Sequence, residues 1–143
     1  MGLARTSLPS EPPFRPILEL LRRLQHEVHI AQAELASPVD PPKVRIQRRH
    51  VDRLERDIDA SASALTPQHA FALADGARGG AQIHVARTVA RRAERELWAL
   101  DRVEPLEPTL LVWLNRLSDL LFALALEVNR LEGVPAVPPD YTV

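Results

Sequence analysis

The sequence predicts an all-α protein, an antiparallel helical bundle of four helices, on three observations. Apolar residues recur every three or four positions through four separate stretches. Prolines fall between those stretches, in PSEPPFRP, SPVDPP, LTPQ, VEPLEP and VPAVPP, where helices must end. No segment of appreciable length alternates with period two in β-branched residues, as a strand would. Short connections then make neighbouring helices antiparallel.

The first helix, near 16–36, carries the stripe Ile17, Leu20, Leu21, Leu24, Val28, Ala31 and Leu35. The second, near 44–64, carries Val51, Leu54 and Ile58, with Leu65 at its end and a highly charged polar face, RIQRRHVDRLERD. In the third, near 81–101, Ala86, Ala90, Ala93, Leu97 and Leu100 form a seam of small residues that lets a neighbouring helix come close. The fourth, near 108–132, opens with Pro108 in its first turn, carries Leu110, Leu114, Leu117, Leu121, Leu124, Val128 and Leu131, and stops at Gly133. The chain thus divides into a proline-containing segment 1–16, a bundle 17–132 and a tail 133–143.

Composition narrows the function. With 143 residues, 45% of them hydrophobic, and a formal net charge of −1, the chain makes one domain able to bury a core. Near-neutrality argues against a nucleic-acid partner, and any anion site must be local. The absence of cysteine excludes disulfides, thiol catalysis and zinc fingers. The longest purely apolar run, LLFALAL at 120–126, is far short of the ~18 residues of a membrane span, and no signal-peptide pattern follows Met1. The expectation is a soluble cytoplasmic protein without a membrane partner.

The stretch HVARTVARRAERELWAL places Arg87, Arg91 and Arg95 one turn apart on one side of the third helix, with His84 and Trp98 extending the row. Such a row is either a solvated face paired with Glu94 and Glu96 or a site for an anion. On the fourth helix Asn115, Asp119 and Phe122 fall at i, i+4 and i+7, beside the leucine seam. Facing the arginine row, they would complete a pocket with guanidinium forks, an amide and a stacking surface. Alternatively, Asp119 pairs with Arg91 or Arg95. The loop FALADGARGGAQ sets Gly76, Gly79 and Gly80 just ahead of a helix, where free N–H groups receive anions, although such glycines are more often simple turn formers. His26 and His29 lack the spacing of a zincin motif and read as surface histidines, so no metal site is assigned. KVRIQRRH at 43–50 is followed by Asp52, Glu55, Asp57 and Asp59 and reads as a mixed helical face.

HVARTVARRAER followed by WLNRLSDLLFALALEVN resembles the ATP:corrinoid adenosyltransferases of the PduO type. RLERDIDASASALTPQHAFALADG is similar to the stretch of that family in which a Leu-Glu-x-x-Ile-Asp helix leads to a Phe-x-Leu-Pro-Gly-Gly loop, and LLRRLQHEVHIAQAELASP resembles its helix ending Glu-Leu-Ala-x-Pro. The likeness covers roughly residues 17–132. It implies a cobalamin adenosyltransferase-like bundle, five helices in the full-length family and four here. It implies a homotrimer that binds ATP with Mg2+ and a reduced corrinoid between subunits and transfers the 5′-deoxyadenosyl group to cobalt. Carried over by position, Arg91 and Arg95 match the paired arginines at the ATP and Asn115 the asparagine that contacts the nucleotide. Phe71 matches the aromatic that displaces the lower cobalt ligand. Arg91, Arg95 and Phe71 would be the catalytic set, Glu94 and Asp119 orienting partners at the nucleotide and corrinoid, and Phe122 a corrinoid contact.

The departures shape the expectation. The family's N-terminal Thr-x-Gly-Asp-x-Gly-x-Thr loop and the Val-Asp-Glu-Leu-Asn stretch of its first helix have no counterpart, and MGLART resembles the Ile-Gly-Leu-Ala-Arg that closes that helix. Ala74 and Asp75 replace Pro and the first Gly of the loop. The chain is therefore expected to be a shortened member with transfer weakened or lost, whether through a start taken at an internal methionine or as a degenerate paralogue. The second reading is a non-catalytic interaction bundle, partner to a full-length adenosyltransferase or a cobalamin-dependent enzyme.

Overall fold

A computed structural model describes residues 1–37, 41–63, 65 and 72–142, and among these the chain is helical without strands. The helices are α1 (Gly2–Ser7), α2 (Arg15–Leu35), preceded by a single 3-10 turn at Pro12–Phe14, α3 (Arg48–Ser63), α4 (Arg78–Asp101) and α5 (Pro108–Leu131). The last four are the predicted helices of an antiparallel bundle. α1 is additional: six residues are too few to display a period, and the helix is held by tertiary packing rather than by propensity. Ala4, Leu8 and Phe14 of this N-terminal stretch all enter the common core.

α5 is the centre of the bundle, lying against α4 on one side and α3 on the other. Leu110, Trp113, Leu117, Leu120, Leu121, Leu124, Ala125 and Val128 are each at most 2% exposed, so apolar residues point inward around most of its circumference. By length and composition α5 could cross a membrane, but 67% of its most apolar window is buried inside the bundle. Pro108 stands at its first position. At the far end Val134 N–H donates to the Asn129 carbonyl and Gly133 N–H to the Arg130 carbonyl, with Gly133 at φ 69°, a Schellman stop that needs glycine.

Two boundaries differ from expectation. α3 begins at Arg48 rather than near 44, because the preceding residues are committed elsewhere. Ile46 is buried and its N–H donates to Glu34 Oε2 at 2.7 Å, while Gln47 N–H donates to His50 Nδ1 at 2.8 Å. His50 thus reaches back over the first turn as a capping-box residue would. α4 begins at Arg78 rather than 81, so Gly79 and Gly80 are helical and not part of the loop. A Cβ on Gly79 would strike Leu8 and one on Gly80 would strike Asn129, so their bareness lets α4 close onto α5 and the N-terminal stretch.

One buried polar contact joins distant helices. Trp113 Nε1 donates to Glu27 Oε2 at 3.1 Å, Glu27 lies 3.2 Å from Arg23 Nε, and Arg23 also pairs with Asp57 of α3. The carboxylate is 3% exposed and survives burial through these partners.

The small-residue seam of α4 is only half covered. Ala90 is buried, but Val85, Val89 and Ala93 are exposed and form one wall of a groove of about 500 Å³ whose other walls include Met1, Val28 and Leu114. Among the described residues, no close neighbour of the kind expected along this seam covers those turns.

Trp113→Phe should strand Glu27 Oε2 and leave a small cavity where the pyrrole ring stood. A loss of at least about 1–3 kcal/mol is expected in urea unfolding, the cost of a buried acceptor without its donor, to which the cavity adds.

Candidate functional site

The arginine row emerges obliquely from the bundle. His84 at its start is 3% exposed, Arg87 is half-buried, and Arg91, Arg95 and Trp98 are exposed. The row is therefore neither a uniformly solvated face nor a uniformly buried one.

Its middle is organised by Glu94. This carboxylate is 6% exposed and divides its two oxygens between the helices: Oε2 accepts from Arg91 at 2.6 Å and Oε1 from Asn115 Nδ2 on α5 at 2.9 Å. Glu94 is thus no surface counter-charge but the group that fixes the direction of Arg91 and Asn115 together. Arg95, one turn on, makes no ion pair or hydrogen bond among the described residues, and its guanidinium stands free in solvent.

Phe122 lies under the row. The Arg87 guanidinium sits 5.0 Å from its ring centroid, and the His84 ring 6.1 Å away at 55°. Asn115 and Phe122 therefore do face the arginine row. Asp119 does not pair with Arg91 or Arg95. It is exposed and accepts at 3.0 Å from Arg116, three residues earlier on the same helix, and Arg116 in turn lies 3.8 Å from Glu55 of α3. Phe71 lies outside the described residues.

These contacts form a ladder. Gly80, Arg87 and Glu94 are seven residues apart on α4, and Asn129, Phe122 and Asn115 seven apart on α5. Gly80 abuts Asn129, Arg87 covers Phe122, and Glu94 binds Asn115. A seven-residue step returns both helices to the same face, so the three rungs line one seam. The sequence carried the signal, since Asn129 stands at the next heptad step after Phe122, but the i, i+4 and i+7 positions counted from Asn115 end at Phe122.

The glycine loop has its own acceptors. Gly76 N–H donates to Asp75 Oδ1 at 2.7 Å and Ala77 N–H to Asn129 Oδ1 at 3.1 Å. Asp75, which replaces a glycine of the resembled family, thus occupies with its own carboxylate an N–H that an anion would need. His26 and His29 are exposed on α2, and no three His, Asp or Glu side chains among the described residues converge as metal ligands.

His84 carries the one clear titration at the site. Burial, reinforced by the neighbouring Arg87 cation, lowers its pKa from 6.5, and neither ring nitrogen has a hydrogen-bond partner among the described residues. A base depressed in the folded state binds fewer protons there than in the unfolded chain, so its stability contribution is complete above 6.5 and is lost as pH falls below it. His84→Phe should flatten the acid-side fall of the melting temperature, as thermal melts below pH 6.5 will read.

Comparison with known proteins adds the family. Residues 1–128 match the sequence model described as cobalamin adenosyltransferase. The corrinoid adenosyltransferase of Mycobacterium leprae is 39% identical over 126 residues, which cover 82% of this chain and 66% of that protein. The Bacillus subtilis corrinoid adenosyltransferase is 35% identical over 134 residues, covering 94% of this chain and 69% of its own length. The chain thus spans about two thirds of these relatives. Among solved structures, a variant PduO-type ATP:corrinoid adenosyltransferase from Lactobacillus reuteri complexed with cobalamin and ATP superposes with a TM-score of 0.86 at 30% identity, over 96% of this chain and 77% of that one. Another variant of the Lactobacillus reuteri enzyme, complexed with ATP, gives 0.88 at 29% identity. Fold, motif order and sequence agree, and the chain belongs to the cobalamin adenosyltransferase family.

Proposed function

We propose that the chain carries the helix-borne half of an ATP:corrinoid adenosyltransferase site, with Arg91 and Arg95 holding the triphosphate of ATP, Asn115 the nucleotide, and Phe122 the corrinoid. The observation that supports it best is the buried Glu94 carboxylate, which orients Arg91 and Asn115 together. A burial of this kind would be needless for a merely solvated face. Relatives bound to cobalamin and ATP supply the substrate classes. In the transfer, the cobalt(I) electron pair attacks C5′ of ATP, a Co–C bond forms as the C5′–O bond breaks, and triphosphate leaves with that bonding pair. The protein then needs no nucleophile; its part is to place C5′ and to neutralise the leaving phosphates with Arg91 and Arg95. Mg2+ would arrive on the phosphates, since no three-residue acidic cluster offers it a seat among the described residues. Phe71 would displace the lower cobalt ligand, and Asp119, turned to Arg116, would act only at the rim.

The reading includes weak turnover. The N–H groups at Gly76 and Ala77 already have protein acceptors. Two backbone donors withheld from the phosphates, each worth about 1.5–3 kcal/mol as a charge-assisted hydrogen bond, would cost over a hundredfold in affinity. The same occupied loop favours the second reading, a non-catalytic bundle that partners a full-length adenosyltransferase or a cobalamin-dependent enzyme. In either case the reading places the chain in the cytoplasm as a homotrimer, an assembly favoured by the apolar side chains of Leu3, Val85 and Val89 left in water.

Calorimetric titration with Mg-ATP is expected to give millimolar binding to the wild type and at least tenfold weaker binding to Arg91→Ala, Arg95→Ala and Asn115→Ala, with slow adenosylation of cob(I)alamin. Identical null titrations for all four proteins would remove the nucleotide site; fast turnover would refute the reading of weak turnover. Light scattering at micromolar concentration should show a trimer, and a stable monomer would refute the assembly.

A further inference from the structure

Asn129 is 3% exposed on α5, and none of the roles assigned to the site uses it. Its carboxamide nevertheless has both ends committed across the bundle. Nδ2 donates to the Asp75 carbonyl at 2.9 Å, and Oδ1 accepts from Ala77 N–H at 3.1 Å. Ala77 is the N-cap residue of α4 and has no side chain able to cap it. An amide from a different helix therefore takes the N-cap N–H, the donor that a Glu or Gln at the third helical position accepts in a capping box and that Gly80, at that position here, cannot.

The surroundings are shaped to admit that amide. A Cβ at Gly76 or Gly80 would overlap the Asn129 side chain, and Gly76 holds φ 124°, a conformation open to glycine. This accounts for the loop glycine that persists while the neighbouring Pro and Gly positions have become Ala74 and Asp75. The backbone of Asn129 is itself fixed by the Val134 N–H, and the loop is fastened on its other side by Leu73 N–H donating to the Val137 carbonyl.

Resting on the nucleotide reading of the arginine row, we infer that Asn129 is a positioning residue for that row, fixing the axial and rotational setting of α4 and so the direction in which Arg87 and Arg91 leave the bundle. The ladder geometry carries the inference. Asn129 and Asn115 are the two polar ends of one seam, fourteen residues apart on α5, and their counterparts Gly80 and Glu94 are fourteen apart on α4, about 21 Å along each axis. A helix pinned at both ends of a seam cannot slide or rotate between them. Pinned only at Glu94, its glycine-containing first turn is free to fray, and His84 and Arg87 lie within about two and a half turns of that end.

The test compares wild type, Asn129→Ala, Gly80→Ala and Asn129→Asp by Mg-ATP calorimetry below their melting temperatures and by amide hydrogen exchange. Gly80→Ala disturbs the same contact from the α4 side while improving helix propensity, so it remains informative if Asn129→Ala does not fold. Asn129→Asp keeps the acceptor for Ala77 N–H. Expected are at least tenfold weaker ATP binding and at least tenfold faster exchange at residues 81–87 in Asn129→Ala and Gly80→Ala, with α2 and α3 unchanged, and recovery to within about threefold of wild type in Asn129→Asp. Wild-type affinity in a folded Asn129→Ala or Gly80→Ala, or acceleration spread evenly over all helices, overturns the inference and leaves the nucleotide reading intact. Failure of the wild type to bind Mg-ATP removes that reading, and this inference with it.

Discussion

The pairing of α4 with α5 is the constraint on which the rest depends. α5 contributes the largest share of the fully buried side chains, and α4 must lie close enough to it for a carboxylate, a guanidinium and two carboxamides to find partners across the seam. Gly79 and Gly80 set the approach at one end, where any side chain would push the helices apart, and the Glu94–Asn115 hydrogen bond sets it at the other. Between them the Arg87 guanidinium rests on Phe122. Groups that would be costly to bury singly become tolerable because the same seam satisfies them mutually.

The helices were legible because their signal is periodic and redundant. Seven apolar positions define α5 in sequence, and losing one would not hide it. Boundaries were less legible, since they are decided by single contacts. Nothing local reveals that Ile46 N–H belongs to Glu34, so α3 starts four residues late; nothing local reveals that Gly79 and Gly80 face Leu8 and Asn129, so α4 starts early. α1 lay below the length at which periodicity speaks at all.

The polar site divides in the same way. Helical spacing correctly brought Asn115 and Phe122 to the arginine row, because i, i+4 and i+7 are fixed by backbone geometry. Spacing could not rank burial within the row, where Glu94 and Glu96 look alike as text although the first is enclosed and the second is exposed. It also left the partner of Asp119 undecided, since Arg116 lies on its own helix, three residues away and equally available by the same arithmetic.

The central position of α5 also imposes an order on biosynthesis. α2, α3 and α4 leave the ribosome first, yet α3 and α4 pack mainly against α5, and the Trp113–Glu27 contact that ties α2 to it spans 86 residues. Until α5 is made, the earlier helices have only one another, and Leu21, Leu24, Leu54 and Ile83 have no complete core to enter. The nascent chain must therefore hold an unfinished, sticky bundle in solution and then close it in one late step around the most apolar segment it possesses. For this chain, vulnerability to chaperone capture and aggregation is concentrated in the interval before α5 docks.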